Sequence, residues 1–304
     1  MEIFLDCLPC FLRQVLEASR LATDRTDIQA KIMKETVRLI SDYEKFRYSP
    51  EIGRAMHQIV KKHTGIFDPY KEIKCKNIRN ALEIYPSLKY FLFKKADRLY
   101  WVLKIAATGN IIDSAIYNDI NIEECVEKEL EKEFSICDIE KLESELKRAK
   151  SLLIIGDNAG ETIFDRVLVE DFLYLDITYA VRSEPIINDA TIEDACASGL
   201  DHCSRLISTG CNAPGLILDE CSEEFLNIFN NADIVITKGQ GNYEALSEQK
   251  RGIFFLLKAK CPVISDKLGV DINDYVFKWN GFNNQSEKEI KSEIVFETQE
   301  VIAI

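Results

Sequence analysis

The chain has 304 residues, enough for one large domain or two modest ones with a sizeable core. With 46% apolar residues and a net charge of −13, disorder and nonspecific nucleic-acid binding are disfavoured, though a local basic pocket for an anionic small molecule is not. No apolar run approaches the roughly 20 residues of a membrane span, and Met1-Glu2-Ile3-Phe4-Leu5-Asp6 has no basic start of a signal peptide, so a cytoplasmic protein that binds neither membrane nor nucleic acid is expected.

Residues 1 to about 148 read as a helical domain. Pro9 opens a helix carrying Phe11, Leu12, Val15, Leu16 and Ala18. Ser49 suits an N-cap before Pro50, Ile52, Ala55, Met56, Ile59 and Val60 follow at helical spacing, and Gly65 ends the segment. Tyr90 to Ala107 is expected as one long apolar helix containing Trp101, and the charged run 121–150 as a solvated helix face.

After Lys150 short β-rich runs alternate with helical ones, which predicts a mainly parallel sheet in a second domain, residues 149–304. The strand candidates are Leu152–Ile155, Ile177–Val181, Leu206–Ser208, Ile234–Thr237, Ile253–Leu257 and Pro262–Ile264; helices are expected at 161–171, 191–199, 215–229 and 242–250. Residues after about 278 carry no pattern that assigns them.

Four of the predicted strands end in polar turns: Asp157-Asn158-Ala159-Gly160-Glu161, the segment from Arg182 to Thr191, the segment from Ser208 to Gly215, and Lys238-Gly239-Gln240-Gly241-Asn242-Tyr243-Glu244. Parallel strands deliver such turns to one edge of the sheet. Asp157, Asn158 and Asp189 are oxygen donors of the kind a hard divalent cation prefers, while Arg182 and Lys238 supply positive charge, Gly160, Gly210, Gly239 and Gly241 let backbone amides approach an anion, and Ser208 is a further candidate phosphate contact. Each feature alone is an ordinary turn residue; four at strand ends outline a phosphate site. The spacing is not a P-loop, and Ile163 stands where the dinucleotide fingerprint needs a third small residue.

Taken together, Gly-Asp-Asn-Ala-Gly-Glu at 156–161, Arg-Ser-Glu-Pro-Ile-Ile-Asn-Asp-Ala-Thr at 182–191 and Lys-Gly-Gln-Gly-Asn-Tyr-Glu at 238–244 resemble the metal-dependent damage-control phosphatases, the domain of unknown function 89. Asp68-Pro69-Tyr70-Lys71-Glu72 and Gly109-Asn110-Ile111-Ile112-Asp113 are similar to further motifs of that family, and Cys7-Leu8-Pro9-Cys10 to its cysteine-containing archaeal and bacterial subgroup, although Asp6 replaces the usual lysine. The resemblance implies a helical domain packed on a Rossmann-like α/β/α domain, and hydrolysis of small phosphomonoesters (sugar phosphates or damaged phosphometabolites) with Mn²⁺, Co²⁺, Ni²⁺ or Mg²⁺. It maps the metal ligands onto Asp157, Asn158 and Asp189.

The expected chemistry is Lewis-acid polarisation of a phosphoryl oxygen and activation of water by the metal, with Lys238 and loop amides stabilising charge. Glu161, Asn110 and Asp113 are candidates for orienting water or substrate hydroxyls; Arg182 either contacts phosphate or holds the Asp189 loop. A covalent aspartyl mechanism wants a second Asp two residues after Asp157, where Ala159 stands, so direct attack by water is expected. A Rossmann-like methyltransferase and a non-catalytic nucleotide- or sugar-phosphate-binding module are the rival readings. Of the ten cysteines most, including Cys196, Cys221 and Cys261, are expected to pack as small hydrophobes. Cys7 and Cys10 share a helix face, open to a structural or packing, a site-lining or metal-contacting, or a redox role. His57, His63 and His202 lack ligand spacing and are expected to be structural.

Overall fold

The computed structural model describes residues 1–111 and 122–281. The helices are α1 (Cys7–Ala22), α2 (Thr26–Ile40), α3 (Ser49–Thr64), α4 (Lys71–Phe93), α5 (Arg98–Thr108), α6 (Ile122–Leu130), α7 (Ile139–Leu146), α8 (Thr162–Asp171), α9 (Ile192–Ala197), α10 (Glu223–Asn231), α11 (Gln240–Leu246) and α12 (Pro262–Leu268). The strands are β1 (Phe134–Cys137), β2 (Ser151–Ile155), β3 (Asp176–Val181), β4 (Arg205–Ser208), β5 (Ile234–Lys238), β6 (Phe254–Lys258) and β7 (Tyr275–Trp279).

These strands form one sheet in the order β1-β7-β6-β5-β2-β3-β4, parallel throughout except for the antiparallel β6–β7 pair. Strand alternation divides the side chains between two faces. Leu152, Ile154, Ile177, Tyr179, Val181, Ile234, Ile236, Phe254 and Leu256 join one core with α4, α5 and α8. Leu153, Ile155, Ala180, Ile207, Val235, Phe255 and Leu257 join another with α10, α11 and α12. The result is the three-layer α/β/α arrangement expected for the second half. The chain leaves β2 toward β3 and β4, then returns to β5 on the other side of β2. That reversal opens a crevice at the carboxyl ends of β2 and β5, where α/β proteins bind ligands.

Helices α1–α3 bury their own core of Phe11, Val15, Ala18, Ile32, Ile52, Met56 and Val60. They dock on the loops at the carboxyl edge of the sheet. Lys61 donates to the Pro185 carbonyl at 2.8 Å, Arg47 pairs with Asp219 at 2.7 Å, Arg54 pairs with Glu220, and the amino group of Met1 donates to the Glu244 carbonyl at 2.9 Å.

The structure redraws several expectations. Helices α4 and α5 cover a face of the sheet and β1 pairs with β7, so packing is continuous across residue 148. The helix expected over 90–107 is broken, because Asp97 caps α5 by accepting from the Tyr100 amide at 3.2 Å. The charged run 121–150 contains β1 between α6 and α7; its alternation was too short to stand out among the charges. Ser49 lies inside the first turn of α3, behind Tyr48, while Gly65 ends the helix with φ +71° as expected. Pro262–Ile264 is the first turn of α12, since proline preorganises that position, and the last strand is β7 instead. The expected helix over 215–229 is shortened to α10, which starts where Ser222 caps it. Among the described residues no helix is long and apolar enough to cross a membrane. Asp113, and the unassigned tail from residue 282, lie outside the described residues.

His57 is buried in α3, its Nε2 has no hydrogen-bond partner among the described residues, and burial, with Lys61 nearby, lowers its pKa to about 4. His63 instead pairs with Glu35 at 2.6 Å and His202 is exposed. Because the folded pKa of His57 lies below the unfolded value of about 6.5, the unfolded chain binds more protons between those values. Its contribution is therefore full above pH ~6.5 and is lost as pH falls toward 4, by at most roughly 3 kcal/mol. His57→Leu should flatten the loss of stability between about pH 7 and 4.5, measured by urea unfolding; an unchanged slope would exclude His57 as its source.

Candidate active site

The loops after β2 and β3 are tied together by backbone bonds. The Ala159 amide donates to the Asn188 carbonyl at 2.8 Å and the Ala190 amide to the Asp157 carbonyl at 2.7 Å, a short antiparallel bridge between Asn158 and Asp189. The Arg182 amide donates to the Ala190 carbonyl at 3.0 Å, closing the second loop on its own strand. Residues 32 positions apart in sequence thus present Asp157, Asn158 and Asp189 together. The fourth loop arrives beside them at the switch point. Gly239 has φ +77°, and a β-carbon there would lie 1.9 Å from Asp157 Oδ2. Only glycine lets the chain pass so close to that carboxylate.

Charges fill the space behind these loops. Arg182, 1% exposed, donates Nε to Asp189 Oδ2 at 2.7 Å and Nη2 to Asn242 Oδ1 at 3.0 Å, with Nη2 3.8 Å from Asp157 Oδ1. Among the described residues its Nη1 is buried without a partner. Lys238 Nζ donates to Asp165 at 2.6 Å, Glu161 at 3.0 Å and the Ala106 carbonyl at 3.0 Å. An ammonium has three donors, and all are engaged. Glu161 Oε1 accepts from Asn110 at 2.6 Å and Asn158 at 2.7 Å, and Tyr179 donates its hydroxyl to Asp165 at 2.6 Å.

Four carboxylates (Asp157, Glu161, Asp165 and Asp189) face two cations, which leaves two negative charges in a nearly dry region. Burial, then repulsion from Asp189 and Glu161, holds the Asp157 carboxyl well above the usual carboxylate range. Burial likewise raises Asp189 against the pull of Arg182, and Asp165 against that of Lys238. Glu161 is also buried, yet Lys238 keeps its pKa below the ordinary value. Lys238 and Arg182 are raised despite burial, because carboxylates surround them. A divalent cation at Asp157 and Asp189 would cancel the excess, and the donor set of two carboxylates and a carboxamide fits a hard or borderline ion. Among the described residues no group of three or more His, Cys, Asp and Glu is arranged to hold a metal, so the set depends on the Asn158 carboxamide.

Of the residues singled out from sequence, Asp157, Asn158, Glu161, Arg182, Asp189, Lys238, Gly239 and Asn110 come together. Ser208 does not join them: its hydroxyl accepts from the Gly210 amide at 3.1 Å, and it lines a separate groove at the β4 edge of the sheet. Cys7 is half-buried against the α1–α3 core, and burial pushes its thiol up rather than down, while Cys10 is exposed. Cys196 is exposed, contrary to the packing role expected for it. Sequence reasoning missed Asp165, Tyr179 and Asn242. The signal for Asp165 was present: it follows Glu161 by one helical turn on a face that is otherwise apolar. Asn242 donates to the Gly156 and Lys238 carbonyls at 3.2 and 2.8 Å, and so joins the loops after β2 and β5.

The damage-control phosphatase ARMT1-like domain matches residues 3–276. A damage-control phosphatase of Pyrococcus horikoshii is 36% identical over 288 residues, covering 93% of this chain and 99% of its own. Another from Archaeoglobus fulgidus is 30% identical over 287 residues, covering 91% and 99%. An uncharacterized protein of Methanocaldococcus jannaschii is 38% identical over 283 residues, covering 89% and 93%. The crystal structure of a DUF89 family protein from Pyrococcus horikoshii aligns with a TM-score of 0.84 at 35% identity, over 92% of this chain and 99% of that one. The chain belongs to the damage-control phosphatase ARMT1-like family. It is an enzyme and a phosphatase, and the methyltransferase and binding-module readings fall away. Membership implies a divalent-metal dependence in general and a small phosphorylated substrate.

Gly239→Ala should force Asp157 from its position. A displacement on the order of 1 Å costs about 10²-fold in turnover. Phosphate release should fall on that scale, with a lower thermal midpoint because a β-carbon at this φ is strained; activity within about threefold in the folded variant would show that the close approach has no catalytic consequence.

Proposed function

We propose that the protein hydrolyses small phosphomonoesters, sugar phosphates or damaged phosphometabolites, in the cytoplasm, with Mn²⁺, Co²⁺, Ni²⁺ or Mg²⁺ held by Asp157, Asn158 and Asp189. The observation that carries this reading is the excess of carboxyl groups over cations, four against two, at the β2/β5 switch point, beside an arginine nitrogen without a partner among the described residues. When bound, the cation supplies Lewis acidity toward a phosphoryl oxygen and toward water.

The protein's own groups do the rest. Arg182 holds the Asp189 loop through Nε and keeps Nη1 for a phosphoryl oxygen, so it serves both of the roles considered from sequence. Lys238, whose donors are engaged, fixes Glu161 as a carboxylate instead of touching phosphate. Glu161 in turn orients Asn158 and Asn110. Ala159, two residues after Asp157, is buried in the core and offers no general acid, which favours in-line attack by water over an aspartyl intermediate. A groove of about 750 Å³ lies across the 183–194 segment, lined by Lys71, Lys74, Arg79, Pro185 and Thr191; its mixed charge and open shape suit the organic part of such a substrate.

Asp157→Asn and Asp189→Asn should each cut phosphate release by at least roughly 10²-fold at saturating metal, on the scale of losing one key electrostatic group. The assay uses a panel of phosphomonoesters after chelation and readdition of single metals. Near-normal turnover in either variant would remove that residue from the site. A single turnover in ¹⁸O-water should place label in phosphate and none in Asp157.

Arg182→Lys keeps a charge but loses the fork that contacts Asp189, Asn242 and phosphate at once. It should lower kcat/KM by about 10- to 100-fold. Unaltered kinetics on every ester would exclude a phosphate contact at Nη1.

A further inference from the structure

The loop between β4 and α10 closes on itself beside Arg182. The Ser222 amide donates to the Thr209 carbonyl at 2.9 Å, and Gly210, with φ +81°, lets the two ends meet: a β-carbon there would lie 2.5 Å from the Ser222 nitrogen and 3.3 Å from the Cys221 carbonyl carbon. This sets Cys221 against Gly210, the neighbour of Cys211, so the two cysteines flank the same loop closure. Cys211 Sγ also lies 3.7 Å from the Gly215 carbonyl and 3.9 Å from Glu220 Oε2, and Cys221 Sγ 3.4 Å from the Ile217 carbonyl. Cys211 is buried and Cys221 half-buried. The Ser183 amide donates to the Cys211 carbonyl at 3.1 Å, which links the loop to the residue that follows Arg182.

We propose that Cys211 and Cys221 form an oxidation site, a dithiol that converts reversibly to a disulfide and pins the 211–221 loop shut behind Arg182. Cys211 is the attacking thiol. The neighbouring Cys221 favours its thiolate and lowers its pKa to about 6, while Cys211 and burial raise the Cys221 thiol. A peroxide is the class of oxidant small enough for a pair this enclosed. The Cys211 thiolate attacks one peroxide oxygen; an S–O bond forms, the O–O bond breaks, and the departing hydroxide is protonated to water. The Cys221 sulfur then attacks the sulfenic sulfur; the S–S bond forms, the S–O bond breaks, and the departing hydroxide takes the Cys221 proton as a second water. Two thiols are oxidised by two electrons and one hydrogen peroxide is reduced to two waters.

The site stands independently of the phosphatase chemistry, so its test needs no substrate. The full chain is treated with hydrogen peroxide, its remaining thiols are alkylated, and peptides are mapped by mass spectrometry. A Cys211–Cys221 cross-linked peptide is expected, lost on adding dithiothreitol. In Cys221→Ser, Cys211 should be trapped as a sulfenic acid that reacts with dimedone; in Cys211→Ser, Cys221 should remain a thiol. Recovery of both residues as thiols or as sulfinic acids in the unaltered protein, while exposed Cys10, Cys75 and Cys196 are oxidised, would overturn the proposal. Dimedone labelling of Cys221 in Cys211→Ser would overturn the assigned order of attack.

Discussion

The two backbone hydrogen bonds that lace residues 157–159 to 188–190 are the constraint on which the active site rests. Parallel strands β2 and β3 deliver their loops side by side, and this short antiparallel bridge, with Arg182 beside both carboxyl groups, holds Asp157 and Asp189 against each other. Bringing carboxylates together away from water costs several kcal/mol per ion unless other charges compensate. Arg182 and Lys238 compensate for part of it. The remaining crowding of carboxylates is expressed in the raised pKa of Asp157, and on the proposed reading it is what a bound cation would relieve.

The helical half is part of the same construction. Helix α5 ends at the site, so that the Ala106 carbonyl accepts from Lys238 and Asn110 donates to Glu161. Helices α1–α3 brace the loops after β3, β4 and β5 from above, through Lys61, Arg47, Arg54 and the amino terminus. Loops that would otherwise be free to move are therefore held between two cores, which suits a site whose geometry must be preorganised.

Much of this was legible because loops at strand ends carry their chemistry in contiguous residues. Gly-Asp-Asn-Ala-Gly-Glu and Lys-Gly-Gln-Gly-Asn are readable without knowing what faces them. Asp165 and Tyr179 were not, since one sits in a helix and the other in a strand, where each looks like an ordinary member of an amphipathic pattern. They meet only because β3 lies under α8. Strands β1 and β7 escaped notice for a related reason: they are short, and β1 finds its only described partner, β7, across more than a hundred residues. Pro262 misled in the other direction, as an apolar run whose first residue is better suited to open a helix.

The sequence by itself determined the α/β class, the strand-end loops and the residue types able to hold a cation and an anion, because periodicity and turn chemistry act over a few neighbours. Only the tertiary structure decided how the charges are shared. It engaged all three donors of Lys238, left one donor of Arg182 free, and set Ser208 apart at the sheet edge. Those outcomes depend on which loops the strand order brings within hydrogen-bonding distance, and no local pattern encodes that.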